Sequence, residues 1–121
     1  MAQHNIFGQR AERIAAQFLE NQGYTILDRN WRSGHKELDL IASDGRTLVV
    51  VEVKARTTSR WGNAEVWVDN MKIRRIVNAT DAYLRLKCID LPVRFDIITI
   101  IGEEGKEAIE HIPDAFFAPM N

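Results

Sequence analysis

The sequence predicts an α/β fold with a mixed sheet flanked by helices. Three observations predict it. Stretches with apolar residues three to four positions apart alternate with short β-branched runs, in the order α-β-β-β-α-β, with a further short strand. The runs 37–42 (ELDLIA) and 47–54 (TLVVVEVK) are apolar on both faces, which calls for helices on both sides of the sheet. The length of 121 residues, with 45% hydrophobic and 27% charged side chains, suits one domain, residues 1–121, with a core that needs no staple.

Residues 8–22 form the first helix, because Ala11, Ile14, Ala15, Phe18 and Leu19 make one apolar stripe and Gly23 supplies a stop. Residues 24–30 form a strand, followed by a polar turn at Ser33-Gly34. The runs 37–42 and 47–54 pair around Asp44-Gly45, a hairpin signal. Residues 57–68 are irregular, with a turn at Trp61-Gly62. Residues 70–87 form the second helix, with Ile73, Ile76, Val77, Thr80, Tyr83 and Leu84 on its inner face. Residues 94–101 (RFDIITII) read as a buried strand. Residues 102–121 are a peripheral acidic hairpin and tail, with an edge strand at 108–112 after Glu104-Gly105.

Composition excludes several classes. One cysteine, Cys88, forbids an internal disulfide and is expected as a buried or half-buried small hydrophobe at the end of the second helix. No apolar run approaches the ~18 residues of a membrane helix, and no signal-peptide core opens the chain, so no membrane partner and a cytoplasmic location are expected. His4, His35 and His111 lack ligand spacing, and no glycine-rich phosphate loop or nucleophile motif is present. Trp61 and Trp67 are expected to pack over the sheet edge rather than to stack on bases.

The net charge of -1 discourages a strongly basic binder, but it hides a polarity. Residues 54–87 carry eight basic and three acidic side chains; residues 88–121 carry two and seven. Nucleic-acid binding would then be confined to one face, with the tail pointing elsewhere.

A two-residue turn at Asp44-Gly45 sets Ser43 against Arg46, Glu37 against Glu52 and Asp39 against Val50; a four-residue loop is expected to keep this register. Glu37, Asp39, Glu52 and Lys54 then share one face, with Asp39 and Glu52 as diagonal neighbours in reach of one ion. Leu38, Leu40, Val49, Val51 and Val53 fall on the other face. Carboxylates this close repel unless a cation or proton intervenes, and two or three of them with waters suit Mg2+ or Mn2+. The plain alternative is a Glu52–Lys54 salt bridge at a strand end with Asp39 in solvent; it leaves three clustered carboxylates against one lysine.

A metal held there would activate water against a phosphodiester, with Lys54 orienting that water or stabilising the anionic transition state. Arg56, Arg60, Lys72 and Arg75 would hold backbone phosphates without reading sequence. The plain reading of the helix arginines is a solvated face. Lys72 stands near the start of the second helix, with its direction left open.

Asp39 followed by Glu52-Val53-Lys54 resembles the PD-(D/E)xK nuclease motif. The wider series is similar to the uncharacterised bacterial YraN-like family, which is in turn similar to archaeal Holliday junction resolvases. That series is Ala11-Glu12, Gly23-Tyr24, Asn30-Trp31-Arg32, Glu37 to Ile41, Val51 to Arg56, Trp61-Gly62, Lys72 and Arg94-Phe95-Asp96. The resemblance implies a restriction-endonuclease-like αβββαβ core. It also implies metal binding by Asp39, Glu52 and the Val53 carbonyl, catalysis by Lys54, and an accessory carboxylate at Glu12, with Glu37 as a further acidic position. On its own, Glu12 reads as a surface glutamate flanking the apolar stripe. The chain departs from the family pattern at Ala11 and Lys36, where glycine is usual. Two-fold dimerisation is expected from the logic of cutting two strands. The expected function is a metal-dependent DNA endonuclease acting on branched or damaged DNA. The alternatives are a non-catalytic DNA-binding module of this fold and a protein-interaction domain using the acidic tail.

Overall fold

The computed structural model describes residues 2–56 and 69–118, with side chains from Phe7 onward. Its elements are α1 (Ala2–Asn21), β1 (Thr25–Ser33), β2 (Lys36–Ser43), β3 (Leu48–Arg56), α2 (Asn70–Lys87), β4 (Val93–Ile101) and β5 (Ala108–Phe116). The strands form one sheet in the order β1-β2-β3-β4-β5. Only β3 and β4 run parallel, joined through α2; the other neighbours are antiparallel. This is the expected αβββαβ core with a mixed sheet, extended by β5, which runs to Phe116 rather than to 112. The segment 57–68, expected to be irregular and carrying Arg60, Trp61 and Trp67, lies outside the described residues.

Each helix closes one face of the sheet, as a hairpin apolar on both sides requires. On one face Ala11, Ala15, Ala16 and Leu19 of α1 pack with Leu40, Ala42, Val49, Val51, Ile98 and Ile100. On the other, Ile76, Ala79 and Tyr83 of α2 pack with Leu38, Ile41, Leu48, Val50, Phe95 and Ile97. The predicted stripes of both helices are therefore the buried ones. Helix α1 stops as expected at Gly23, whose φ of 97° lets Tyr24 N–H reach Leu19 O and Gly23 N–H reach Glu20 O, both at 3.0 Å. Helix α2 stops on Cys88 in the left-handed region (φ 56°), and its thiol side is exposed, not buried as expected. A cap position projects outward, so the apolar character of cysteine does not decide its burial.

Two expectations about the hairpin need correction. The β2–β3 connection is a four-residue loop, with Ser43 opposite Leu48. Asp44 closes it, its Oδ1 accepting from the N–H groups of Arg46 and Thr47 at 2.9 and 2.8 Å. The longer loop does not keep the expected register; it moves the pairing by two residues. Side-chain period two preserves the faces, but Asp39 now falls level with Glu52 instead of diagonal to it. Secondly, Leu38 packs with the α2-side core while Leu40 packs with the α1-side core. Strict alternation would put both on one face. The break coincides with Asn30 of the neighbouring strand, held at φ 49° between the pairs Arg29–Leu40 and Trp31–Leu38. The sheet switches faces there, and Asp39 stands at the switch.

Candidate active site

The paired ladder of β2 and β3 ends at Leu40 and Val51, and the strands part beyond it. Val53 N–H donates to Asp39 Oδ2 at 3.0 Å, so the aspartate side chain takes the place of a strand partner. Glu52 faces the α2 side with 10% of its side chain exposed. Its carboxyl meets that of Asp39, and burial, then the Asp39 contact and charge, push its pKa up to about 8. Glu52, nearly buried and in contact with half-buried Asp39, therefore holds its proton to a higher pH than a free glutamate.

Among the described residues, the cations acting on Glu52 are Lys72 and Lys54. Lys72 Nζ lies 3.6 Å from Glu52 Oε2. Its position is fixed by the helix start: Asp69 caps α2, its Oδ1 accepting from Lys72 N–H at 2.8 Å, so Lys72 sits in the first turn, within reach of Glu52 of β3. Lys54 is half-buried two residues beyond Glu52, and its charge also favours the ionised Glu52. The ion-pair partner of Glu52 is thus Lys72 rather than Lys54. Lys54 stands level with Thr99 of β4, whose hydroxyl is buried without a hydrogen-bond partner.

Glu12 reaches the same region from α1. Burial raises its pKa, opposed by a hydrogen bond from the Asn30 side chain, and the Asp39 charge raises it further. Glu12 is therefore half-buried beside the pair rather than a free surface glutamate. Glu37 lines the same cavity but is exposed and pairs with Arg32 at 3.5 Å, which draws it away from Glu52. Among the described residues no three His, Cys, Asp or Glu side chains converge tightly enough to enclose a metal ion. The close donors are the two carboxylates. Such a set suits Mg2+ or Mn2+, which keep several waters and are bound through one or two carboxylates.

A cavity of about 340 Å3 opens from the pair toward the β1–β2 turn. Lys36, Glu37, Asp39, Glu52, Lys72 and Arg75 line it together with four residues not expected at the site: His35, Leu38, Ile76 and Asn78. Helical spacing from Lys72 and Arg75 points to Ile76 and Asn78. His35 and Leu38 depend on the tight turn at Gly34 (φ 63°) and on the face switch, which leave no local signal. Of the other expected phosphate-binding residues, Arg56 ends β3 outside this cavity. Arg60 lies outside the described residues.

An αβββαβ core in which β2 supplies Asp39 and the central strand β3 supplies Glu52 and Lys54 defines the class: an α/β protein with a mixed sheet flanked by helices. The chain belongs to the uncharacterised protein family UPF0102, whose family model matches residues 11–100, and this is the YraN-like family expected from the sequence. It is 52% identical over 120 residues to a UPF0102 protein of Phocaeicola vulgatus and 51% identical to one of Bacteroides thetaiotaomicron, covering 99% of each chain. A relative from Christiangramia forsetii is 42% identical over 117 residues, 97% of this chain and 98% of that one. Among solved structures, the chain is similar to Hjc, a Holliday junction resolvase of Archaeoglobus fulgidus, with a TM-score of 0.49 and 19% identity over 86% of this chain and 73% of that one.

Proposed function

We propose that the protein is a Mg2+- or Mn2+-dependent endonuclease that hydrolyses phosphodiester bonds in branched or damaged DNA in the cytoplasm. The observation that carries this reading is the contact between Asp39 and Glu52, two carboxyl groups in a nearly dry site with Glu52 pushed up to about 8. Two carboxylates in contact repel when both are ionised, and a divalent cation between them would relieve that repulsion and replace the proton.

Asp39, Glu52 and the Val53 carbonyl would hold the metal, and Glu12 would orient water around it. When bound, the metal would polarise the phosphoryl oxygen and lower the pKa of water. Val53 N–H fixes the Asp39 carboxylate, so the pair is oriented before any ligand arrives. Lys54 would orient the attacking water and stabilise negative charge on the phosphoryl oxygens. Lys72 would leave Glu52 and, with Arg75, hold a phosphate of the bound strand. Arg56 and Arg60 would extend that contact, and a two-fold dimer would bring a second site to the opposite strand.

The test is cleavage of linear, flapped and four-way DNA with Mg2+, Mn2+ or EDTA, comparing the wild type with Asp39→Ala and Lys54→Ala. Metal-dependent cutting that both variants lose is the expected result. Cleavage that survives EDTA or both substitutions rejects the mechanism. Binding without cutting, unaffected by Asp39→Ala, would mark a non-catalytic DNA-binding module instead.

A further inference from the structure

We propose that the cavity between the β1–β2 turn and α2 receives the base and sugar of one unstacked nucleotide, adjoining the phosphate that is cut. This rests on the endonuclease reading and adds to it the substrate class: DNA in which the nucleotide at the cut is unpaired or easily unpaired.

Size comes first. The cavity, about 340 Å3, lies at the lower end of the ~300–1,000 Å3 typical of small-molecule pockets. That volume suits one nucleoside and is too small for a base pair with both its backbones. Chemistry of the walls comes second. The floor is Leu38, Val50 and Ile76, all buried on the α2 side of the sheet. Contact with a phosphate needs cations and does not need an apolar floor. The flat face of a base does use one, because stacking and apolar contact accept any base. The rim is polar: Lys36, Lys72 and Arg75 supply positive charge for the flanking phosphates, and Asn78 offers both an amide donor and a carbonyl acceptor to a base edge. Position comes third. Asp39 and Glu52 line the same cavity, so a nucleotide seated there has its own phosphate beside the carboxylate pair.

Taking a base out of the stack costs free energy, and the cost is least where pairing is already lost. Flaps, mismatches and branch points are therefore favoured over intact duplex through this cavity, whichever base Asn78 meets.

The test uses flapped DNA carrying the fluorescent base 2-aminopurine at successive positions around the cut, bound by Lys54→Ala protein in Mn2+ so that the strand stays intact. A several-fold rise in fluorescence at one position is expected. Asn78→Met, which plugs the mouth from an exposed helix position, should abolish that rise while Mn2+ binding stays unchanged by calorimetry. Ile76→Phe, which fills the floor, should do the same, with thermal melting confirming its fold. Fluorescence that stays quenched at every position in bound DNA, or a rise that Asn78→Met leaves intact, overturns the proposal. Unstacking by wild-type protein that never cuts would reject the endonuclease reading and keep the nucleotide pocket without its role in cutting. Cutting that Asn78→Met leaves at full rate would do the reverse.

Discussion

The two faces of the sheet each bury acidic side chains, and they treat them in opposite ways. On the α1 side, Asp96 of β4 has a side chain that is 0% exposed. Arg94 binds it through Nε at 2.9 Å and Nη2 at 2.8 Å, His111 Nε2 lies 2.8 Å away, and Asp114 N–H donates at 2.9 Å. Arg94 also donates to the Tyr24 hydroxyl at 2.7 Å, tying β4 to the chain that leaves α1. Burial alone would raise the Asp96 pKa, but these hydrogen bonds hold it below the usual carboxylate range. On the α2 side, Asp39 and Glu52 meet each other, and the nearest ion pair to Glu52 is a lysine at 3.6 Å. There the pKa rises instead. A buried carboxylate with its full complement of donors is a clamp. A buried pair short of countercharge is poised to take a cation.

The largest expected effects separate the two directly. Asp39→Ala or Lys54→Ala should lower cleavage by about a thousand-fold, the scale of losing a group aimed at transition-state charge. Their cost in stability should be the smaller one: Asp39→Ala leaves Val53 N–H without its acceptor, about 1 kcal/mol, and Lys54→Ala removes one half-buried cation beside Glu52. Asp96→Ala should do the opposite. It leaves Arg94 partly buried without its partner and should cost about 3 kcal/mol, with Mn2+ affinity of the folded protein unchanged. Thermal melting and metal titration of these variants check both. A stable Asp96→Ala protein that binds metal poorly would erase the distinction.

The pH dependence has opposite signs on the two faces. Glu52 has a folded pKa above its unfolded value, so the folded state holds an extra proton between about 4.5 and 8. Its contribution to metal-free stability is present at low pH and is lost as pH rises through about 8. Asp96 has a lowered folded pKa, so its contribution is present above the unfolded value and is lost as pH falls toward the folded one. A cation at the carboxylate pair must displace the Glu52 proton. Mn2+ affinity should therefore rise about ten-fold per pH unit below about 8 and level off above it. Calorimetric titration between pH 6 and 9 measures this; a flat profile would mean that Glu52 is already ionised.

Much of this was legible in the chain, for identifiable reasons. Helix α2 and the strands around Glu52 follow from side-chain periodicity, which burial against a sheet enforces along the whole element. The sharing of one region by Asp39, Glu52 and Lys54 followed from period two, which survives a register shift of two residues. The shift itself did not follow, because Asp44 hydrogen-bonds two backbone N–H groups and so stabilises a longer loop than Asp44-Gly45 suggests. The displacement of Leu38 rests on one left-handed asparagine in a neighbouring strand, a tertiary event with no mark in the run 37–42. The Asp96 clamp joins Tyr24, Arg94, His111 and Asp114, which sheet pairing brings together from distant positions. The basic middle also divides in space. Arg85 and Lys87 are engaged by Asp81 and Asp28, whereas Lys72 and Arg75 line the cavity.

Lys72 gives the smallest effect and the finest contrast. At 3.6 Å from Glu52, with 42% of its side chain exposed, it is held less tightly than Arg94 is by Asp96. A metal entering the carboxylate pair competes with it for the same oxygen. Lys72→Met keeps the length of the side chain and removes the competing charge, so Mn2+ should bind several-fold tighter. The same change removes a cation from the bound strand, so DNA affinity should fall and its salt dependence should weaken by about one phosphate contact. Tighter metal with weaker DNA is a pairing that a purely structural lysine would not produce. If Mn2+ affinity instead falls with Lys72→Met, the ammonium supports the site rather than occupying it, and the α2-side cluster would be a second clamp like that of Asp96.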